Sequence, residues 1–110
     1  MQSDEKTIQT EILNYLKSRG FFAWKNHVGG IRRSGQGTVK NPARGAPDIF
    51  AVKEGVFYGI EVKRPGGKVS GHQYAWLQKL RDHGGIAIIT TSLESCVHDI
   101  SEARKNETWL

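Results

Sequence analysis

Residues 45–63 constrain this chain more than any other stretch. They read Gly45-Ala46-Pro47-Asp48-Ile49-Phe50-Ala51-Val52-Lys53, then Glu54-Gly55, then Val56-Phe57-Tyr58-Gly59-Ile60-Glu61-Val62-Lys63. Two runs rich in β-branched and aromatic residues flank a dipeptide that ends in glycine, the signature of a β-hairpin with a two-residue turn. If Lys53 faces Val56, opposed residues have numbers summing to 109, and Asp48 faces Glu61. Opposed side chains share a sheet face with Cβ atoms roughly 4.5–5.5 Å apart. Two like charges so placed repel unless a cation lies between them. Lys63 follows Glu61 by two and projects from the same face. Both hairpin faces are apolar: Ile49, Ala51, Val56, Tyr58, Ile60 and Val62 alternate with Phe50, Val52 and Phe57. The expectation is a hairpin covered on both sides, in which interrupting charges need a partner or an ion. A three-residue loop would instead send Asp48 and Glu61 to opposite faces.

The rest of the chain supplies what such a hairpin packs against. Residues 4–18 predict a helix, with Ile8, Ile12, Tyr15 and Leu16 at helical spacing and Ser3 or Asp4 as cap. Glu11 borders its buried stripe, and Gly20 ends it. Phe21-Phe22-Ala23-Trp24 reads as a strand beside the hairpin. Ser70 opens a second helix over 70–83, with Gln73 three residues on as a capping box. Gln73 also heads the apolar stripe of Trp76, Leu77 and Leu80, so it serves the site and the cap equally well on sequence grounds. Ile86 to Thr90 is an inner strand, and residues 56–90 form a β-α-β crossover. Ser92 caps a last helix, with Leu93, Val97 and Ile100 towards the core and Cys96 flanking them. The order is α-β-β-β-α-β-α, a single α/β domain over residues 1–110 with a small mixed sheet flanked by helices.

Charge points to the partner. The 110-residue chain carries a formal +5. Residues 25–45 hold Lys25, Arg32, Arg33, Lys40 and Arg44 and no acid, and Gly29, Gly30, Gly35 and Gly37 make the stretch a flexible basic loop. Arg64 and Lys68 add charge after the hairpin. Such loops suit a polyanion, because Lys and Arg displace the counterions condensed on phosphates. No apolar run is long enough to span a bilayer, and the polar N-terminus has no signal-peptide core. The single cysteine excludes an internal disulfide and fits a reducing cytoplasm.

Two carboxylates on a strand pair suit a hard divalent ion, Mg²⁺ or Mn²⁺, with the Val62 carbonyl as third ligand. Lys63 is placed to orient or deprotonate a water or to hold a phosphate oxygen, and Glu11 to reach in from the first helix. With a basic loop nearby, the substrate is a nucleic-acid backbone and the reaction phosphodiester hydrolysis. Pro47-Asp48 followed by Glu61-Val62-Lys63 resembles the PD-(D/E)XK nuclease signature. Gly45-Ala46-Pro47-Asp48, Glu61-Val62-Lys63 and Ser70-x-x-Gln73 look most like the viral replication and repair nuclease (VRR-NUC) family, in its stand-alone phage and bacterial form. The resemblance implies a restriction-endonuclease-like core and a metal-dependent endonuclease acting on branched DNA such as Holliday junctions or flaps. It also implies a homodimer with no small-molecule cofactor. By analogy Asp48, Glu61 and the Val62 carbonyl bind metal, Lys63 assists the water, and Glu11 and Gln73 support the site. Trp109 and Tyr74 are candidate dimer contacts, and His27 and His72 have no assigned role. The competing expectation, from a different class, is a non-catalytic nucleic-acid-binding module on a nuclease fold.

Overall fold

A computed structural model describes residues 4–27 and 44–105. Most of the basic loop lies outside the described residues, including Arg32, Arg33 and Lys40, as does Trp109. The elements run α1 (Glu5–Ser18), β1 (Phe22–Lys25), β2 (Ile49–Lys53), β3 (Val56–Val62), α2 (Gly71–Asp82), β4 (Ile86–Thr90) and α3 (Leu93–Lys105). They build a mixed α/β fold around a four-stranded sheet of order β1-β2-β3-β4. The pairs β1–β2 and β2–β3 are antiparallel, and β3–β4 is parallel.

The β2–β3 hairpin has the expected register. Lys53 pairs with Val56 and Ile49 with Ile60. Glu54 and Gly55 both take positive φ, 52° and 79°, as a type I′ turn requires. One face of the hairpin is fully buried: Ile49, Ala51, Tyr58, Ile60 and Val62 have no exposed surface. They meet Ile8, Ile12 and Leu16 of α1 and Cys96 and Ile100 of α3 in one core. At roughly 1.5–3 kcal/mol per buried large aliphatic or aromatic side chain, this face holds the helices on the sheet. In α3 it is Cys96 that lies fully buried, while Val97 is only partly so, the reverse of the expected order.

The other hairpin face departs from expectation. Phe50, Val52 and Phe57 are only partly buried, and Phe22 beside them is 70% exposed. The only described helix over this side is α2, and it lies towards β4. Gly59 makes room for it, since a Cβ there would run into Leu80 of α2 and into Pro47. The face is therefore covered near Glu61 and open towards the turn.

Candidate active site

The site forms where β2 begins and β3 ends. Continuing the register by one residue sets Asp48 opposite Glu61. Counted from the tight turn, this is a non-hydrogen-bonded pair, the kind in which side chains approach most closely. The next pair would join Pro47 to Val62. Proline has no N–H to give the Val62 carbonyl, so the ladder stops. The Val62 N–H instead donates to Asp48 Oδ2 at 2.8 Å, and the Pro47 carbonyl accepts from Asn26 Nδ2 at 3.1 Å. The Asp48 carbonyl in turn accepts from the Asn26 N–H at 2.8 Å. Pro47-Asp48 thus ends a strand pair, aims a carboxylate across the gap and leaves a carbonyl at its edge.

Glu61 is 2% exposed. Its Oε2 accepts from Lys63 Nζ at 3.0 Å and from Gln73 Nε2 at 2.9 Å. Its Oε1 is buried without a protein partner. A buried carboxylate oxygen left unpaired costs on the order of 1–3 kcal/mol or more. The energetics are those of a crowded anionic pocket. Burial pushes the Glu61 carboxyl up to about 7, with the Asp48 charge adding to the effect and Lys63 opposing it. Burial likewise raises Asp48, opposed by the Val62 N–H and by Lys63.

Gln73 serves both readings at once, because an amide has two ends. Its Oε1 accepts from the Ser70 N–H at 2.8 Å while the Gln73 N–H donates to Ser70 Oγ at 3.2 Å, which is the capping box. Its Nε2 holds Glu61. Gly45, at φ 88°, seats this helix start, because a Cβ there would collide with the His72 carbonyl.

Glu11 does not join the cluster. It is exposed on α1, six residues past the helix end that reaches the site. At 100° and 1.5 Å per residue it lies about 240° around and roughly 9 Å along from Glu5. Glu5 is the α1 acid at the site. Its Oε2 accepts from the Arg64 N–H at 3.3 Å, and its charge adds to the upward push on both Asp48 and Glu61. The signal was present in the sequence: Glu5 precedes Ile8, Ile12 and Leu16 at i, i+3, i+7 and i+11, heading the buried stripe. An acid in a first turn reads more simply as a dipole partner, which hid it. Of the basic residues, Arg44, Arg64 and Lys68 are exposed around the site's two flanking segments, and Lys25 ends β1 partly buried.

The donor set fits a hard divalent cation. Two carboxylates, one with an unpaired buried oxygen, converge beside a backbone carbonyl that the strand ladder cannot satisfy. Among the described residues no cluster of three or more His, Cys, Asp or Glu side chains is placed to hold a metal. The remaining ligands would come from the backbone and from water, as Mg²⁺ prefers.

The sequence profile of the VRR-NUC domain matches residues 3–93. Two solved structures described as VRR-NUC domains share the fold. One is 19% identical, with TM-score 0.63 over 94% of this chain and 97% of that one. The other is 17% identical, with TM-score 0.67 over 96% and 91%. The structure of Hjc from Archaeoglobus fulgidus, a Holliday junction resolvase, is 25% identical, with TM-score 0.50 over 79% of this chain and 67% of that one. A search of curated proteins finds no match.

Proposed function

The chain belongs to the VRR-NUC nuclease family, and we propose that it is a divalent-metal-dependent endonuclease that hydrolyses phosphodiester bonds in branched DNA. The observation that carries this reading is the Asp48–Glu61 pair: a buried and a half-buried acid held face to face, with the Glu61 Oε1 unpartnered and an ammonium beside them. A purely structural polar stripe would have no reason to keep that arrangement, since its burial is unfavourable to both carboxylates.

Asp48, Glu61 and the Val62 carbonyl would hold the ion. Bound there, Mg²⁺ or Mn²⁺ supplies charge neutralisation at the scissile phosphate and an acidified water. The protein's own groups do the rest. Gln73 Nε2 fixes the Glu61 carboxylate, and the Val62 N–H fixes that of Asp48. Lys63 Nζ, 3.0 Å from Glu61 and largely buried, is placed to hold a non-bridging phosphate oxygen or to take a proton from the attacking water. Arg44, Arg64 and Lys68 stand exposed near the site to meet backbone phosphates. Similarity to a Holliday junction resolvase supports a branched substrate. One acid pair serves one strand, so a homodimer is the form that would cut both strands of a junction. No described helix is long and apolar enough to cross a membrane. Cys96 is buried, and burial pushes its thiol up to about 12, which leaves it unreactive.

The test is cleavage of junction, flap and linear duplex DNA by wild-type protein, Asp48→Asn and Lys63→Ala, with and without Mg²⁺ or Mn²⁺. Both variants should lose at least 100-fold in rate while still retarding junction DNA in gels. Binding without any metal-dependent nicking by the wild type would reassign the chain as a non-catalytic nucleic-acid-binding module.

A further inference from the structure

Asn26, the residue that follows β1, is a polar group beside the site that the proposed chemistry does not use. The β1–β2 register runs from Phe22 opposite Val52 to Lys25 opposite Ile49. One further step sets Asn26 opposite Asp48, and the Asn26 N–H bears this out by donating to the Asp48 carbonyl at 2.8 Å. Asp48 in turn stands opposite Glu61. Asn26, Asp48 and Glu61 thus form a row across three strands on one sheet face. Trp24, two residues before Asn26, meets Phe50, two residues past Asp48, on that same face, with ring centroids 5.7 Å apart.

An asparagine at a strand end most simply closes a turn on its own neighbouring backbone. Here the printed partners are remote. Nδ2 donates to the Pro47 carbonyl at 3.1 Å, across 21 residues of sequence. A carbonyl can only accept, so the nitrogen end of the amide must face it. The main-chain and side-chain donors of Asn26 therefore hold consecutive carbonyls, those of Asp48 and Pro47. These belong to the two peptide groups that flank the Asp48 Cα. Each peptide group is planar, so holding both fixes the backbone dihedrals of Asp48 and the direction of its side chain.

The same amide governs the Val62 N–H. In an unbroken ladder Pro47 and Val62 would be a hydrogen-bonded pair, because such pairs alternate with pairs of the Asp48–Glu61 kind. The Val62 N–H would then go to the Pro47 carbonyl. It goes instead to Asp48 Oδ2 at 2.8 Å. Pro47 is fully buried, and a buried backbone carbonyl keeps a partner. Asn26 Nδ2 is that partner. One N–H faces two acceptors, and the Asn26 amide decides between them. We propose that Asn26 is a positioning residue of the metal site: by taking up the Pro47 carbonyl it releases the Val62 N–H to orient the Asp48 carboxylate towards the ion. This role rests on the metal-site reading above and falls to a residue outside the ligand set.

The experiment compares the full chain, labelled with ¹⁵N and ¹³C, with its Asn26→Ala and Asn26→Gln variants. NMR scalar couplings across hydrogen bonds, measured without metal, report which acceptor each N–H meets. In the wild type the Val62 amide should couple to the side-chain carboxyl carbon of Asp48, and in Asn26→Ala to the carbonyl carbon of Pro47. Calorimetric titration with Mn²⁺ should show binding about 10–100-fold weaker in Asn26→Ala, the range for a residue that supports a metal ligand. Asn26→Gln keeps an amide donor and should bind more tightly than Asn26→Ala. A residue that served stability alone would lower the melting temperature without moving the Val62 coupling. Unchanged Mn²⁺ affinity in Asn26→Ala, or a Val62 amide still coupled to Asp48 there, would overturn the role of Asn26 and leave the metal site standing. Wild-type protein that binds no Mn²⁺ would overturn both. If Asn26→Ala does not fold, the wild type still decides, since a Val62 amide coupled to Pro47 in it would overturn the role.

Discussion

The acid pair predicts an unusual response to pH. Glu61 has a carboxyl pushed from 4.5 up to about 7 in the folded chain, mainly by burial and next by Asp48. Between those two values the folded protein holds a proton that the unfolded chain has lost. Stability is therefore highest below pH 4.5 as far as this group is concerned, and falls as pH rises towards 7 and above. At about 1.4 kcal/mol per pH unit, the loss comes to roughly 3 kcal/mol, and the raised Asp48 carboxyl adds to it in the same direction. That is a large part of the ~5–15 kcal/mol that holds a domain of this size together.

The assay is urea unfolding in EDTA from pH 5 to 8, on wild type and Glu61→Gln. The wild type should lose about 3 kcal/mol across the range. The variant should lose most of that slope, since a glutamine cannot ionise. Saturating Mn²⁺ at pH 7.5 should restore the wild type by about 2.7 kcal/mol at 100 times its dissociation constant. The same addition should do far less at pH 5, where protons compete for the carboxylates. Metal-free wild type that is equally stable at pH 5 and 7.5, or a Glu61→Gln protein with the wild-type slope, would refute the reasoning. Either result would mean that Glu61 ionises without cost.

Two further outcomes follow from the same geometry. Glu5→Gln should lower the cleavage rate 10–100-fold, the range for a residue supporting a metal ligand, whereas Glu11→Gln should change it less than twofold; equal effects in single-turnover cleavage would show that the helix end is not part of the site. Gly45→Ala combines a positive φ with a Cβ directed into the His72 carbonyl and should cost about 2–4 kcal/mol in thermal unfolding, whereas Gly20→Ala, at φ 84° with open space around it, should cost about 1 kcal/mol.

The hairpin was legible because its determinants are local. A Glu-Gly turn that places both residues at positive φ fixes the register. The register then carries Asp48 and Glu61 to one face with no further information. Pro47 is legible in the same way, since the ring that removes its N–H is the reason the ladder breaks beside Val62. The helix starts at Asp4 and Ser70 followed from side chains that accept backbone N–H groups within one turn, at 2.7 Å from Thr7 and 3.2 Å from Gln73. What failed was whatever depended on the distance between elements. Glu5 and Glu11 are both acids on a helix with a clear stripe, and only the docking of that helix by its N-terminal turn decides which one meets the sheet.

The open aromatic face failed for a different reason. Alternation along a strand reports that both faces are apolar, but it carries no term for the length of the helix that must cover them. Gly71–Asp82 spans 12 residues, about 18 Å at 1.5 Å per residue. Four strands at roughly 4.8 Å spacing are about 14 Å wide between outer axes. One helix about 10 Å across seated over β4 and Gly59 cannot also reach β1. The exposed ring of Phe22 and the half-buried ring of Trp24 are thus the arithmetic remainder of a four-stranded sheet with one described helix on that side. The chain put aromatic residues, not lysines or threonines, in the uncovered strip. A free surface would have favoured charge there, particularly on an edge strand such as β1, where unprotected apolar surface invites aggregation.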